Sequence, residues 1–163
     1  MEDPIRIDAS DLARVARAMR AEADGKQLRK ELVAELKTAV APAAAAVAGK
    51  LRAMPHSSAA QASPAMGSYL ASRTKVQVRT SGRSAGVAIR IPQTPNLRGF
   101  RYAARRLNRD GWRHRVFGHD VWVEQRSPIK GYFDDTIKPD RDKYRQVVLD
   151  ILTRFAQRIA RRH

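Results

Sequence analysis

The chain has 163 residues, which is enough for one domain with a core of moderate size. It contains no cysteine, so disulfides, thiolate catalysis and cysteine-based metal sites are excluded. Lys and Arg outnumber Asp and Glu by 32 to 16, and the resulting net charge of +16 predicts attraction to nucleic acid, to an acidic protein surface or to anionic lipid.

The sequence lacks the residues that several classes of protein require. No uninterrupted apolar run approaches the ~20 residues of a membrane span, so no membrane partner is expected. The start, Met-Glu-Asp-Pro, has no apolar signal core, which predicts a protein made in a cytoplasm. The four histidines do not have metal-ligand spacing, and neither a nucleophile elbow nor a phosphate-binding loop is present. We therefore expect no enzymatic activity, no metal and no cofactor.

The net positive charge is concentrated in an acid-free stretch, residues 36–109, which contains 13 Lys and Arg residues and no Asp or Glu. This stretch carries 13 of the 16 net charges, and the acidic residues are confined to its two flanks. Without local ion pairs, its positive field extends to a Debye length, ~8–10 Å at ordinary salt. Two interpretations remain open: a solvated surface that keeps the protein soluble, or a face that binds DNA or an acidic partner.

Apolar periodicity predicts N-terminal helices over residues 10–52. Residues 10–23 place their apolar side chains at i, i+3, i+4 and i+7, which is one helix face. Residues 26–52 repeat an apolar residue every four positions and predict a second, longer helix. Residues 53–72 are rich in Ser, Ala and Pro, which predicts a loop or mobile arm.

Residues 73–126 form the predicted β-rich region. Residues 75–79 and 86–91 alternate polar and apolar side chains, and the turn-rich connector between them indicates a β-hairpin. A short basic amphipathic helix is predicted over 97–109. Two further strands are expected at 116–118 and 121–123, on either side of a His-Asp turn.

The C-terminal helical region, residues 131–162, contains the strongest helix signal of the chain. From Asp140 onward an unbroken apolar stripe continues to Ile159, with polar residues on the other faces. The predicted fold class is therefore α+β: N-terminal helices, a central antiparallel β-sheet with a hairpin, and a long C-terminal amphipathic helix. We expect these elements to form a single domain over residues 1–163.

Four aromatic residues lie close together in the last third of the chain. They are Trp112, Trp122, Tyr132 and Phe133, interleaved with basic residues. Such a pattern is typical of core side chains in a small domain, and we favour that interpretation. The alternative is a platform on which the bases of single-stranded nucleic acid stack.

The segment 107–118, followed by a Trp and a Gln and then by a Pro, a Gly and two aromatics, resembles a motif of phage tail-completion (head–tail connector, neck) proteins. The matching residues are Gly111, Trp112, His114, Val116, Phe117, Gly118, Trp122, Gln125, Pro128, Gly131, Tyr132 and Phe133. Arg115 stands where the motif has proline, so the turn before Val116 is expected to differ from that of the family. The basic hairpin at 78–87 is also similar to versions from phages of actinobacteria. The resemblance covers roughly residues 75–160.

The resemblance implies a small α+β structural protein that forms a ring at the head–tail junction of a long-tailed (siphovirus-type) phage. Its partners would be copies of itself in a six-fold ring, head-side adaptor or stopper proteins, and tail terminator or tail-tube proteins. Double-stranded DNA would pass through the ring. The location implied is the neck of the virion, assembled in the cytoplasm of the bacterial host.

Within the acid-free stretch, five arginines are the candidates for facing DNA or an acidic neighbour in such a ring. They are Arg79, Arg83, Arg101, Arg105 and Arg106. A different function class also fits the charge: a free basic nucleic-acid-binding protein that never enters a virion.

Overall fold

The computed structural model describes residues 9–55, 66–82, 85–93, 102–116 and 119–162. The elements in chain order are helices α1 (Ala9–Ala21), α2 (Gly25–Arg52) and α3 (Met66–Arg73), strands β1 (Lys75–Arg79) and β2 (Gly86–Arg90), helix α4 (Ala103–Asn108), strands β3 (Gly111–Arg115) and β4 (Trp122–Arg126), helix α5 (Asp134–Ile137), a 3₁₀ turn (Lys138–Asp140) and helix α6 (Arg141–Ala160). The chain is α+β with a long C-terminal helix, which confirms the predicted fold class.

The chain divides into two compact units. Unit 1 comprises Met1–Ala44, Lys75–Arg90 and Lys138–His163, and unit 2 comprises Ala45–Thr74 and Ile91–Ile137. The expected central sheet is two separate two-stranded antiparallel sheets, β1–β2 in unit 1 and β3–β4 in unit 2.

Unit 1 is built on the amphipathic faces of its helices, with α1 packed on α6. In the β1–β2 hairpin, Val87 and Ile89 are buried opposite Val78 and Val76. The core of this unit consists of Leu12, Val15, Met19, Leu28, Leu32, Leu36, Val40, Val87, Ile89, Val148, Ile151, Leu152, Phe155 and Ile159. These are the positions that the apolar periodicity of the helices and of β2 predicts.

An ion-pair ladder, which we call the α6 ladder, joins α6 and Arg162 just beyond its end to acidic residues near the start of the chain. Its nitrogen–oxygen distances are 2.8 Å for Arg154–Glu35, 2.8 Å for Arg158–Glu31 and 2.6 Å for Arg162–Asp24. The hydrogen bond from Arg162 is the largest cause of a lowered pKa at Asp24. The pKa of Glu31 is lowered first by its hydrogen bond from Gln27 and then by the one from Arg158. These three carboxylates of the acidic N-terminal flank are therefore engaged within unit 1.

In unit 2, helix α3 corrects the predicted loop over 53–72. Residues from Met66 onward are helical, and Leu70 is fully buried. An eight-residue helix with a single large buried side chain has too short an apolar repeat to stand out in a sequence rich in Ser and Ala. Residues 56–65 of the predicted loop lie outside the described residues.

Several predicted boundaries also move. The strand expected at 116–118 is β3 at Gly111–Arg115, and its partner β4 extends to Arg126. The basic helix expected over 97–109 is the six-residue α4, and positions 97–101 lie outside the described residues. The final helix begins at Arg141, because Lys138–Asp140 form the 3₁₀ turn that precedes it.

Helix α2 is long and apolar enough, by length and composition, to cross a membrane, which the sequence pattern did not lead us to expect. Core helices meet the same criterion. Leu28, Leu32, Leu36 and Val40 are fully buried, so one face of α2 is a core face.

Candidate assembly interface

A hydrogen-bond network around Asn108 anchors the β3–β4 hairpin in unit 2. Asn108 is buried at the end of α4, and its amide Nδ2 donates to Asp134 Oδ2 at 2.6 Å. Its Oδ1 accepts the backbone N–H of Phe133 at 2.9 Å. Its backbone oxygen accepts the N–H of Gly131 at 3.0 Å. One residue thus joins the end of α4 to the start of α5, across the hairpin that separates them in sequence.

Ser127 makes a second tie directly after β4. Its hydroxyl donates to the backbone oxygen of Leu107 at 2.5 Å, and its N–H donates to the backbone oxygen of Asp110 at 2.9 Å. An ion pair between Lys130 and Asp110 lies at the same end. Sequence patterns did not single out Asn108 and Ser127, because Asn and Ser are common in turns and neither is among the residues that match the motif.

The last aromatics of the motif are core residues. Tyr132 and Phe133 are buried, with ring centroids 6.4 Å apart in an edge-to-face arrangement. The Tyr132 hydroxyl donates to the backbone oxygen of Ala104 at 3.2 Å, and burial raises the pKa of this hydroxyl. Gly131, just before them, has φ of +71°, a left-handed conformation that favours glycine. Core packing and a turn therefore account for these three motif residues.

The hairpin beyond this anchor is open to solvent. Every residue of β4 is exposed. The register places Arg115 opposite Trp122, Arg113 opposite Glu124, and Trp112 opposite Gln125. Side chains directly opposite each other in an antiparallel pair share a face, so the hairpin has one face with Trp122 and a second face with Trp112.

The first face combines a tryptophan with arginines. Trp122 is 52% exposed, which contradicts the interpretation of this residue as core. The guanidinium carbons of Arg113 and Arg115 lie 5.9 Å and 5.5 Å from its ring centroid, within cation–π range. Arg115 also forms an ion pair with Asp120 at 2.5 Å. The face is amphipathic and carries charges of both signs.

The second face carries several apolar side chains, with Gln125 opposite Trp112. Val116 and Val121 face each other just beyond the strand pair, with the N–H of Val116 donating to the oxygen of Val121 at 3.0 Å. Both are exposed, Val123 is 41% exposed, and Trp112 is half-buried. Phe117 and Gly118 lie outside the described residues. Of the six large apolar side chains exposed in the described chain, four belong to this hairpin: Val116, Val121, Trp122 and Val123.

The five arginine candidates are distributed over both units. Arg79 is exposed at the end of β1 in unit 1. Arg105 is exposed and Arg106 is half-buried on α4 in unit 2. Arg83 and Arg101 lie outside the described residues. The structure therefore brings Arg105 and Arg106 together on one short helix.

The described residues contain no cluster of side chains that could hold a metal ion. Among them, no group of three His, Asp or Glu side chains lies together. An open cleft of about 590 Å³ lies beside the hairpin, and it is lined by Asp110, Gly111, Trp112, Arg113, Glu124, Gln125, Arg126, Ser127 and Lys130. Its lining carries both charge signs and contains the Lys130–Asp110 ion pair.

No family model, no curated protein and no solved structure matches this chain.

Proposed function

We propose that this chain is a structural subunit of the head–tail junction of a long-tailed phage, where copies of it form a ring around the DNA. The observation that carries the proposal is the β3–β4 hairpin, whose two faces are exposed and hold most of the exposed large apolar side chains of the described chain. A two-stranded hairpin in water is marginally stable by itself, so a hairpin of this composition is suited to being covered by a partner.

The resemblance to tail-completion proteins supports the same assignment. Most of the residues that match the motif lie on this hairpin or in its anchor. The anchor residues hold the hairpin in place, while Trp122 and Val116 are exposed to solvent. A motif divided between a buried anchor and an exposed element suits assembly with a partner better than it suits catalysis.

Self-association tests the role of the hairpin. The Val121→Asp variant places a charge on the second face, and the matched control is Val147→Asp on α6, where another valine is exposed. By sedimentation velocity we expect the wild type and Val147→Asp to form ring-sized oligomers and Val121→Asp to remain monomeric. Equal association of all three proteins would remove the hairpin from the interface.

Location tests the function itself. A ring subunit is stoichiometric with purified phage particles, and an antibody against the chain should label the junction of head and tail in electron micrographs. Absence of the chain from purified particles would show that the proposed function is wrong.

The second candidate function is a free nucleic-acid-binding protein, and the exposed Trp122 beside Arg113 and Arg115 is the observation that favours it. An exposed tryptophan flanked by guanidinium groups suits stacking of bases, worth about 1–3 kcal/mol per base. In that case Trp122→Ala should weaken binding to single-stranded DNA about tenfold or more, and the protein should be associated with nucleic acid in cells rather than with particles.

A further inference from the structure

The β1–β2 hairpin of unit 1 has two faces of opposite character. Val76 and Val78 are paired with Ile89 and Val87, which are buried. The alternate positions form the outer face, which we define as Lys75, Gln77, Arg79, Gly86, Ala88 and Arg90. Lys75, Arg79 and Arg90 on this face are exposed. The outer face therefore consists of basic residues, one amide and two small residues.

Like charges are placed directly opposite each other on this face. Lys75 is the register partner of Arg90, and Arg90 donates a hydrogen bond to Gln77 Oε1 at 3.1 Å. Directly opposite like charges destabilise a strand pair. Three acidic residues of unit 1 are engaged elsewhere, because the α6 ladder binds Asp24, Glu31 and Glu35. An external polyanion would relieve the repulsion on the outer face.

The small residues give an anion access to the strand pair. Arg79 stands opposite Gly86, and Gln77 stands opposite Ala88, so no bulky side chain rises between the charged ones. From position 75 to position 79 an antiparallel strand advances ~13.6 Å at ~3.4 Å per residue. One strand of duplex DNA carries about four phosphates over that length of helix axis, because its phosphates are spaced ~3.4 Å apart along the axis.

We propose that the outer face of the β1–β2 hairpin binds the sugar–phosphate backbone of double-stranded DNA. This inference rests on the proposed function, since a ring at the head–tail junction surrounds the duplex that passes through it. Basic surfaces with small residues between the charges suit phosphate contacts that do not read sequence. The partner is therefore duplex DNA of any sequence. Arg79, one of the five arginine candidates, acts together with Lys75 and Arg90, which the sequence pattern did not single out.

The test measures binding of the full chain to a mixed-sequence DNA duplex by fluorescence anisotropy over a range of salt concentrations. The variant is Lys75→Glu/Arg90→Glu, which keeps a like-charge pair but reverses its sign. The matched control is Lys143→Glu/Arg145→Glu on α6, two exposed basic residues whose reversal changes the net charge equally. Circular dichroism of each protein verifies that the fold is retained.

We expect the hairpin variant to bind DNA about 10-fold to 100-fold more weakly than the α6 control, with a salt dependence shallower by about 1.8, since two phosphate contacts are lost. Equal weakening of the two variants would show that only total charge matters and would overturn the inference. The inference would also be overturned if the β1–β2 hairpin variant lost binding to polyglutamate but kept its binding to DNA, because the outer face would then bind an acidic protein.

The inference and the proposed function fail in different experiments. If the hairpin variant binds DNA normally while the wild type still forms rings and labels the neck of particles, the DNA-binding face is wrong and the function stands. If the hairpin variant loses DNA binding but the chain is absent from particles, the DNA-binding face is supported and the neck function is wrong.

Discussion

At the scale of single residues, Asn108 is a buried polar residue of unit 2 whose side chain must form hydrogen bonds at both ends. It is 8% exposed and uses both ends of its amide, donating to Asp134 and accepting from the backbone of Phe133. Asn108→Ala leaves the Phe133 N–H without this acceptor, and an unsatisfied buried donor costs about 1–3 kcal/mol. We expect that loss of unfolding free energy in urea, followed by fluorescence of Trp112 and Trp122, which both belong to unit 2.

Two companion variants separate the hydrogen bonds from a general effect of substitution. Ser72→Ala removes an exposed hydroxyl that bonds Tyr69 on α3 in the same unit, and it should change the stability by less than about 0.5 kcal/mol. Asn108→Asp keeps the acceptor but sets a carboxylate beside Asp134. Like charges raise the pKa of such a pair, so this variant should be less destabilised at pH 4 than at pH 7. An Asn108→Ala variant as stable as Ser72→Ala would contradict this account.

At the scale of elements, the α6 ladder makes unit 1 sensitive to acid. The pKa of Asp24 is lowered below its ordinary value of 3.8 by Arg162, and that of Glu31 below 4.5 by Gln27 and Arg158. A carboxyl group whose pKa is lowered in the folded state stabilises that state at pH values above its ordinary pKa. This stabilisation is lost as the pH falls through the lowered pKa. These groups are exposed, so each contribution is small and screened by salt.

The corresponding variant is Arg162→Gln, with Arg161→Gln as its neighbour outside the ladder. Thermal unfolding followed by circular dichroism should show a lower melting temperature for Arg162→Gln than for the wild type at pH 7. This difference should shrink towards pH 2.5 as Asp24 becomes protonated. The Arg161→Gln difference should not depend on pH in this range. A gap between wild type and Arg162→Gln that persists unchanged at pH 2.5 would mean that Arg162 acts by packing rather than through Asp24.

At the scale of elements, some helices and strands could be predicted from sequence patterns alone. Helix α6 was predicted to begin at Asp140 and begins at Arg141, and β1 occupies the predicted residues 75–79, because each has a long or strictly alternating apolar pattern. Helix α3 has neither, since Leu70 is its only large fully buried residue. Exposure of Trp122 was also unpredictable, because tryptophans usually fill cores and only the tertiary structure leaves β4 uncovered.

At the scale of the whole molecule, the division into two units is the property least accessible from sequence. Both units draw residues from α2, and unit 1 is assembled from three separate segments of the chain. Local periodicity reports which face of an element is buried but not which other elements bury it. The sequence therefore predicted the core residues of the helices, while the two separate hairpins required the structure.

Two units, each with its own core, should be separable by a substitution that affects only one of them. Gly67 in α3 lies against the backbone of Leu51, and a methyl group at Gly67 would clash with the Leu51 carbonyl oxygen. Gly67→Ala should therefore destabilise unit 2 by about 1–3 kcal/mol through overpacking. The matched control is Gly49→Ala in the same unit, where no atom lies within 4 Å of the added methyl and alanine should stabilise α2 by about 0.5–1 kcal/mol.

Two optical probes distinguish the units in these variants. Both tryptophans report unit 2, whereas helical circular dichroism is dominated by unit 1, which contains α1, α6 and most of α2. In urea we expect Gly67→Ala to move the fluorescence midpoint down while the main circular dichroism transition stays in place, and Gly49→Ala to move the fluorescence midpoint up. Coincident shifts of both probes would show that the chain unfolds as one cooperative unit through α2, and that the two units are compact without being energetically independent.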